Sequence, residues 1–146
     1  MQNIKLLCDR MLIRLARWLR AAGYDTLIAN EEWTDRQCLE TAQKEERYLV
    51  TRDRHFLEFK KGREWVVYLK SNDVESCLRE LSAKLPIDWE MNPFTRCMLC
   101  NHPFEMKNEF QYCPSCDQLF WEGSHTKHMR AKMKTWNDAE GSEPIP

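Results

Sequence analysis

The chain reads as an α/β protein: a parallel sheet of about four strands flanked by helices, followed by a small unit built around four cysteines. Three observations predict this. Short apolar runs alternate with segments of helical periodicity from the start to about residue 85. Those runs lack a polar face, as expected when helices cover both sides of a parallel sheet. After Pro93 the alternation stops, and Cys97-x-x-Cys100 and Cys113-x-x-Cys116 follow, separated by twelve residues.

The apolar run over residues 3–8 gives the first strand, with Asp9 at its exit. Met11, Leu12, Leu15, Ala16, Leu19 and Ala22 then recur at helical spacing, and Gly23 stops the helix. Its opposite face carries Arg10, Arg14, Arg17 and Arg20, spaced by four, three and three residues and so aligned as one stripe. Residues 25–29 (DTLIA) form a second strand. Thr34-Asp35-Arg36-Gln37 has the form of a capping box and opens a helix that Cys38, Leu39 and Ala42 carry towards Arg47. A third strand, residues 48–51 (YLVT), ends at Arg52-Asp53-Arg54, and a helical turn over 55–61 is closed by Gly62. Residues 65–69 (WVVYL) supply the fourth strand. Ser71-Asn72-Asp73 then offers cap residues to a helix on Val74, Leu78, Leu81 and Leu85, which Pro86 ends.

A chain of 146 residues suffices for one ordinary domain and a small appendage. The natural division is 1–90 for the α/β unit, 91–136 for the cysteine unit with a C-terminal helix, and 137–146 for a disordered polar tail. That helix is expected to run from Gly123-Ser124 to about Met133 and carries a basic cluster including His125, Lys127 and His128. With 22 basic and 23 acidic side chains there is no global attraction for nucleic acid, so any such binding rests on local patches. The sequence shows neither a membrane span nor a signal pattern, which predicts a soluble cytoplasmic protein. It shows no glycine-rich phosphate loop, which argues against a P-loop NTPase. Seven cysteines is an odd count, and pairing four of them by Cys-x-x-Cys argues for metal rather than for disulfides. Cys8, Cys38 and Cys77 fall on apolar positions and read as core.

In each cysteine pair a tight turn lets two thiolates reach one ion, and two such turns close a tetrahedron. Four sulfurs make a closed structural site for Zn²⁺, with iron the alternative in the same cage. No position is left open for substrate. So small a unit has little core, and metal binding of about 10–16 kcal/mol would supply most of its folding free energy.

The acids are informative by position. In a parallel α/β sheet the loops leaving the strand C-termini lie along one edge, where ligands bind. Asp9 follows the first strand and Asp53 the third, while Asp35 and Asp73 open the helices after the second and fourth. Glu40, more than a turn into its helix, should point away. Each acid has a plainer explanation: helix capping for Asp9, Asp35 and Asp73, and an ion pair with Arg52 or Arg54 for Asp53. Capping does not, however, require an acid at every strand end. Converging carboxylates repel unless a hard divalent ion relieves them. Mg²⁺ or Mn²⁺ held by Asp9 and Asp53, with Asp35 and Asp73 beside them, fits phosphodiester hydrolysis in which arginines hold the flanking phosphates.

The segments CDRMLIRLARWLRAAGYDT, YLVTRDRHF, RCMLCN and YCPSCDQLFWEGSH, in this order, resemble the Mut-seven C-terminal RNase domain family over about residues 4–129. The resemblance implies a PIN-like parallel sheet with the first strand central, fused to a zinc ribbon. It also implies a metal-dependent ribonuclease site acting on RNA. It places Asp9 and Asp53 on the acids of the first and third motifs, and Cys97, Cys100, Cys113 and Cys116 on the ribbon ligands. Arg17, Arg20 and Arg52 fall on basic positions that would contact substrate, and Arg14 joins them from the stripe. Asp35 and Asp73 rest on the sheet-edge argument alone. The chain departs from the family pattern at Ile13, where a glycine is usual, and in its shorter ribbon, which removes surface for RNA or a protein partner. Two other readings use the same residues: a non-catalytic RNA-binding or adaptor module docking through the ribbon, and a phosphatase or nucleotide hydrolase.

Overall fold

The computed structural model describes residues 4–141, with side chains to residue 138. Strands β1 (Lys5–Cys8), β2 (Asp25–Ile28), β3 (Tyr48–Thr51) and β4 (Val66–Tyr68) form one parallel sheet in the order β2-β1-β3-β4. Helices α1 (Ile13–Ala21) and α2 (Asp35–Glu45) link its first three strands, and α3 (Val74–Lys84) follows the fourth. The pleat sends successive side chains to opposite faces. Leu6, Cys8 and Val50 therefore enter the core under α1 and α3, while Leu7 and Leu49 enter the one under α2. Each fully buried leucine contributes about 1.5–3 kcal/mol, which is why these strands carry no polar face.

Local signals set the element ends. Thr34 and Gln37 close the capping box reciprocally, at 3.1 and 2.8 Å. Before α1 the chain makes a 3-10 turn over Arg10–Leu12, capped by Asp9. Gly23 leaves α1 with φ of +96°, and a Cβ there would lie 2.3 Å from the Asn92 carbonyl oxygen, so no other residue fits.

Beyond the α/β unit, β5 (Glu105–Lys107), β6 (Phe110–Cys113) and β7 (Gln118–Phe120) form a small antiparallel sheet. With the four-cysteine cluster beside it, this is consistent with a zinc ribbon. Helix α4 (Ser124–Gly141) then returns to the α/β unit, burying Met129, Met133 and Trp136 in the core beneath α1 and α3. The Trp136 ring meets Trp18 edge-on at 4.8 Å and Trp89 at 5.2 Å. The helix expected to stop near Met133 thus runs through Asn137, whose Oδ1 accepts from the Trp89 backbone N–H at 2.9 Å. Tertiary packing extends it where composition alone suggests disorder. The rest of the expected tail, residues 142–146, lies outside the described residues. No described helix is long and apolar enough to cross a membrane.

Candidate functional site

The C-terminal edge of the sheet is organised by Thr51. Its side chain is fully buried, and its hydroxyl donates to Asp9 Oδ2 at 2.7 Å. The Thr51 Oγ1 in turn accepts from the Asp53 backbone N–H at 3.0 Å. One hydroxyl therefore fixes the carboxylate after β1 and the chain leading to the carboxylate after β3. Asp9 Oδ1 accepts from Met11 N–H at 2.8 Å, and Asp53 Oδ1 from His55 N–H at 2.9 Å. Sequence reading took Thr51 only as a strand end. The signal available was its hydroxyl two residues before an acid at that end, the spacing of a side-chain turn.

A cavity of about 440 Å³ opens at this edge, with Asp9, Asp35, Asp53, Arg10, Trp33 and Arg52 among its walls. Asp35 enters from the first turn of α2, with Oδ2 3.8 Å from His55 Nε2. The other ring nitrogen of His55 lies 3.4 Å from Glu58. Asp73 stands apart from the other three acids. It caps α3 by accepting from Ser76 N–H at 3.1 Å and faces a separate cavity of about 220 Å³ with Arg14, Arg52 and Asn72. Backbone bonding at Ser76 holds its carboxyl below the usual range. The reason for the separation is topological: β4 lies at the far side of the sheet from β2, beyond β3. Glu40 lines neither cavity and is exposed.

The arginine stripe divides on inspection. Arg10 pairs with Glu31 at 3.5 Å, and Arg14 and Arg17 are exposed. Arg20 was expected to contact substrate, and the structure corrects this. It is 5% exposed, its Nε donates to Thr26 O at 2.8 Å, and its Nη1 donates to the carbonyls of Met98 and Leu99, each at 3.1 Å. Its guanidinium clamps the first cysteine turn onto β2, and burial lowers its pKa. Asn101 completes the clamp: its Oδ1 takes the Thr26 N–H at 2.9 Å, and its Nδ2 donates to Asp25 at 2.7 Å. Arg52 donates to Asn72 Oδ1, while its Nε is buried without a partner on the wall shared by the two cavities.

Among the described residues, the four cysteines form the only group of three or more potential ligands gathered tightly enough to hold an ion. Their Sγ atoms lie within 4.8 Å of one another, with Cys97 to Cys116 at 3.9 Å and Cys100 to Cys113 at 3.4 Å. A zinc–sulfur bond of about 2.3 Å gives a tetrahedron with edges of about 3.8 Å, so the cage has the right size. Asn101 and Asp117, each just after the second cysteine of a pair, take φ of +78° and +55°, which these residue types tolerate and which closes the turns. Without a cation the thiols cannot ionise together. Hydrogen bonding with Cys100 leads the effects that push Cys116 up to about 12. Cys100 falls to about 6 because the His102 N–H and the neighbouring thiols outweigh its burial. The remaining cysteines are core thiols, as expected: burial raises Cys8 and Cys77, and takes Cys38 to about 11.

The three carboxylates in the larger cavity are hard oxygen donors, the class that Mg²⁺ and Mn²⁺ take together with water. They line its walls without forming a tight ligand cluster of their own. Against protein families, the model of the Mut7-C RNAse domain matches residues 4–108 and, in a second segment, 103–133. Neither the curated proteins nor the solved structures gave a match.

Proposed function

The chain belongs to the Mut7-C RNAse domain family, and on that premise we propose that its sheet edge is a metal-dependent ribonuclease site hydrolysing RNA phosphodiester bonds. The observation that carries this is the convergence on one open cavity of Asp9 and Asp53, from two adjacent strand ends, and Asp35, from the first turn of α2, with a single hydroxyl serving Asp9 and the chain leading to Asp53. Asp9 and Asp53 would hold Mg²⁺ or Mn²⁺, with Asp35 across the cavity. The bound ion supplies Lewis acidity and lowers the pKa of a water. In the reaction the water oxygen bonds to phosphorus and the bond to one ribose oxygen breaks. The leaving oxygen takes a proton, which yields a phosphate monoester and a hydroxyl.

The protein's own groups set the geometry. The Thr51 hydroxyl and the N–H groups of Met11 and His55 fix the orientation of the Asp9 and Asp53 carboxylates. Arg52, on the wall of the acid cavity, would turn its guanidinium towards a phosphoryl oxygen. Arg14 and Arg17, exposed on α1, hold neighbouring phosphates. The four cysteines would hold Zn²⁺ in a structural role, since every tetrahedral position is filled by protein.

The test is cleavage of a labelled single-stranded RNA with Mn²⁺, with Mg²⁺ and with EDTA. Cutting with either ion, none in EDTA, and a loss of at least about a hundredfold in Asp9→Asn is the expected result. Cutting in EDTA, or full activity in the variant, counts against the reading. A second role, contact with a protein partner, draws support from the outward face of the ribbon, where Phe110 is 51% and Trp121 67% exposed.

A further inference from the structure

We propose that Arg20 is the counter-charge of the cysteine cage: its buried guanidinium, held against the first Cys-x-x-Cys turn, offsets the negative charge that four thiolates keep around a divalent ion and so strengthens metal binding. This rests on the reading of the cage as a Zn²⁺ site, and it assigns part of that site's affinity to a residue of the α/β unit.

Among the described residues two arginines are buried, and they are satisfied differently. Arg47 meets two carboxylates, Asp25 at 2.9 Å and Glu45 at 2.7 Å, and also donates to the Leu6 carbonyl. Arg20 enters none of the ion pairs among the described residues. Its hydrogen bonds go to the carbonyls of Thr26, Met98 and Leu99. A buried cation is costly unless an opposite charge faces it, and neutral carbonyls offset only part of that cost. Met98 and Leu99 are the two residues between Cys97 and Cys100, so the charge at hand is that of the cage. Burial lowers the pKa of Arg20, and the Cys8, Cys100 and Cys97 thiols act against this. Burial raises Cys8, which therefore stays a neutral thiol, so the compensating charge falls to the two cage sulfurs.

Four thiolates around Zn²⁺ leave two net negative charges. Compensation comes from one side. Arg96 adds a second guanidinium to the first turn, its Nη1 donating to the Asn101 carbonyl at 2.8 Å just after Cys100. The second pair is followed instead by an acid, Asp117, which accepts from the Tyr112 hydroxyl at 2.6 Å. Of the two guanidinium groups on the first turn, only that of Arg20 is buried, where low dielectric makes its charge count most. The coupling is reciprocal: what Arg20 contributes to holding the metal, the metal contributes to holding Arg20 and, through it, β2.

The experiment measures Zn²⁺ affinity of the full chain at fixed pH by competition with a chelator, with Co²⁺ absorption reporting whether four thiolates still coordinate. Arg20→Gln removes the charge but keeps an amide donor, and should weaken Zn²⁺ binding about 10- to 100-fold. Arg20→Lys keeps the charge and should recover most of that loss. Cys116→His takes one negative charge from the cage, and in that background the cost of Arg20→Gln should shrink. Wild-type affinity in Arg20→Gln would overturn the proposal. So would equal losses in the Gln and Lys variants, or an unchanged cost beside Cys116→His, either of which makes Arg20 a hydrogen-bonded clamp and nothing more. Should Arg20→Gln not fold, hydrogen exchange of the wild-type chain decides. Chelation should then speed exchange of the Thr26 N–H, which Asn101 Oδ1 accepts, more than that of Val50 in β3, and unchanged exchange at Thr26 would overturn the proposal. If the wild type binds neither Zn²⁺ nor Co²⁺, the metal reading of the cage itself fails, and the proposal falls with it.

Discussion

In the ribbon, four sulfurs lie within 4.8 Å of one another, whereas at the sheet edge three carboxylates line a cavity of about 440 Å³ without meeting. On the proposed reading, the contrast separates a structural metal site from a chemical one. A cage whose tetrahedral positions are all protein atoms has no place for substrate, while a hydrolytic site must leave room for water and phosphate. The two regions also differ in what supports them. Arg20 and Asn101 tie the cage to β2, so its loss reaches the fold. The edge acids are held by turn N–H groups and one hydroxyl, so their loss should reach chemistry first.

The largest expected effect is at the cage. Chelation, or Cys113→Ser, removes metal binding of about 10–16 kcal/mol. Hydrogen exchange should then show the ribbon strands β5 to β7 opening while α4, anchored by Trp136, stays protected. Uniform opening of the whole chain would erase the distinction between the regions. Next is Arg20→Ala, which strands one buried and two part-buried carbonyls and should cost about 2–3 kcal/mol in denaturant unfolding. Its RNA affinity should keep the wild-type salt slope, and a reduced slope would return Arg20 to the substrate side of the comparison.

A smaller effect is expected at Thr51. Thr51→Val should lower kcat about 10- to 100-fold with KM nearly unchanged, because it frees the carboxylate without touching substrate, and Thr51→Ser should restore the rate. Equal activity in the valine variant would remove the hydroxyl from the account. The smallest effect concerns Glu80 of α3, which takes the N–H groups of Lys70 and Ser71 at 3.0 Å and so shapes the loop before Asn72 and Asp73. Burial opposes its ionisation, but these bonds, with Ser71 Oγ and Lys84, hold its pKa to about 2. A depressed pKa stabilises the fold above the unfolded value near 4.5, and that stability is lost as pH falls through about 2. Glu80→Gln should therefore melt earlier at neutral pH, by about 1 kcal/mol after solvent screening, and the gap should close on acidification.

The sequence carried the sheet well because its signals are local. Residues 48–51 form β3 as expected, the Thr34 box caps α2, and Asp73 caps α3. The cysteine spacing likewise predicted a cluster that the fold assembles. What failed depended on distant chain. Nothing in the spacing of the arginine stripe distinguishes Arg20 from Arg17, and Arg20 is buried because a turn 79 positions further on lands over it. Trp136 extends α4 past a polar, helix-poor stretch because Trp18 and Trp89 receive it. Thr51 was invisible as a linker because its two partners are joined only when β1 and β3 pair.

The most direct measurement is made on one protein, Asp53→Asn, with cleavage in Mn²⁺, RNA affinity in EDTA and melting temperature recorded together. The account predicts wild-type affinity and melting, with cleavage reduced by at least about a hundredfold. Cleavage near the wild-type rate by a fully folded Asp53→Asn protein would contradict it and leave the sheet edge as capping structure alone.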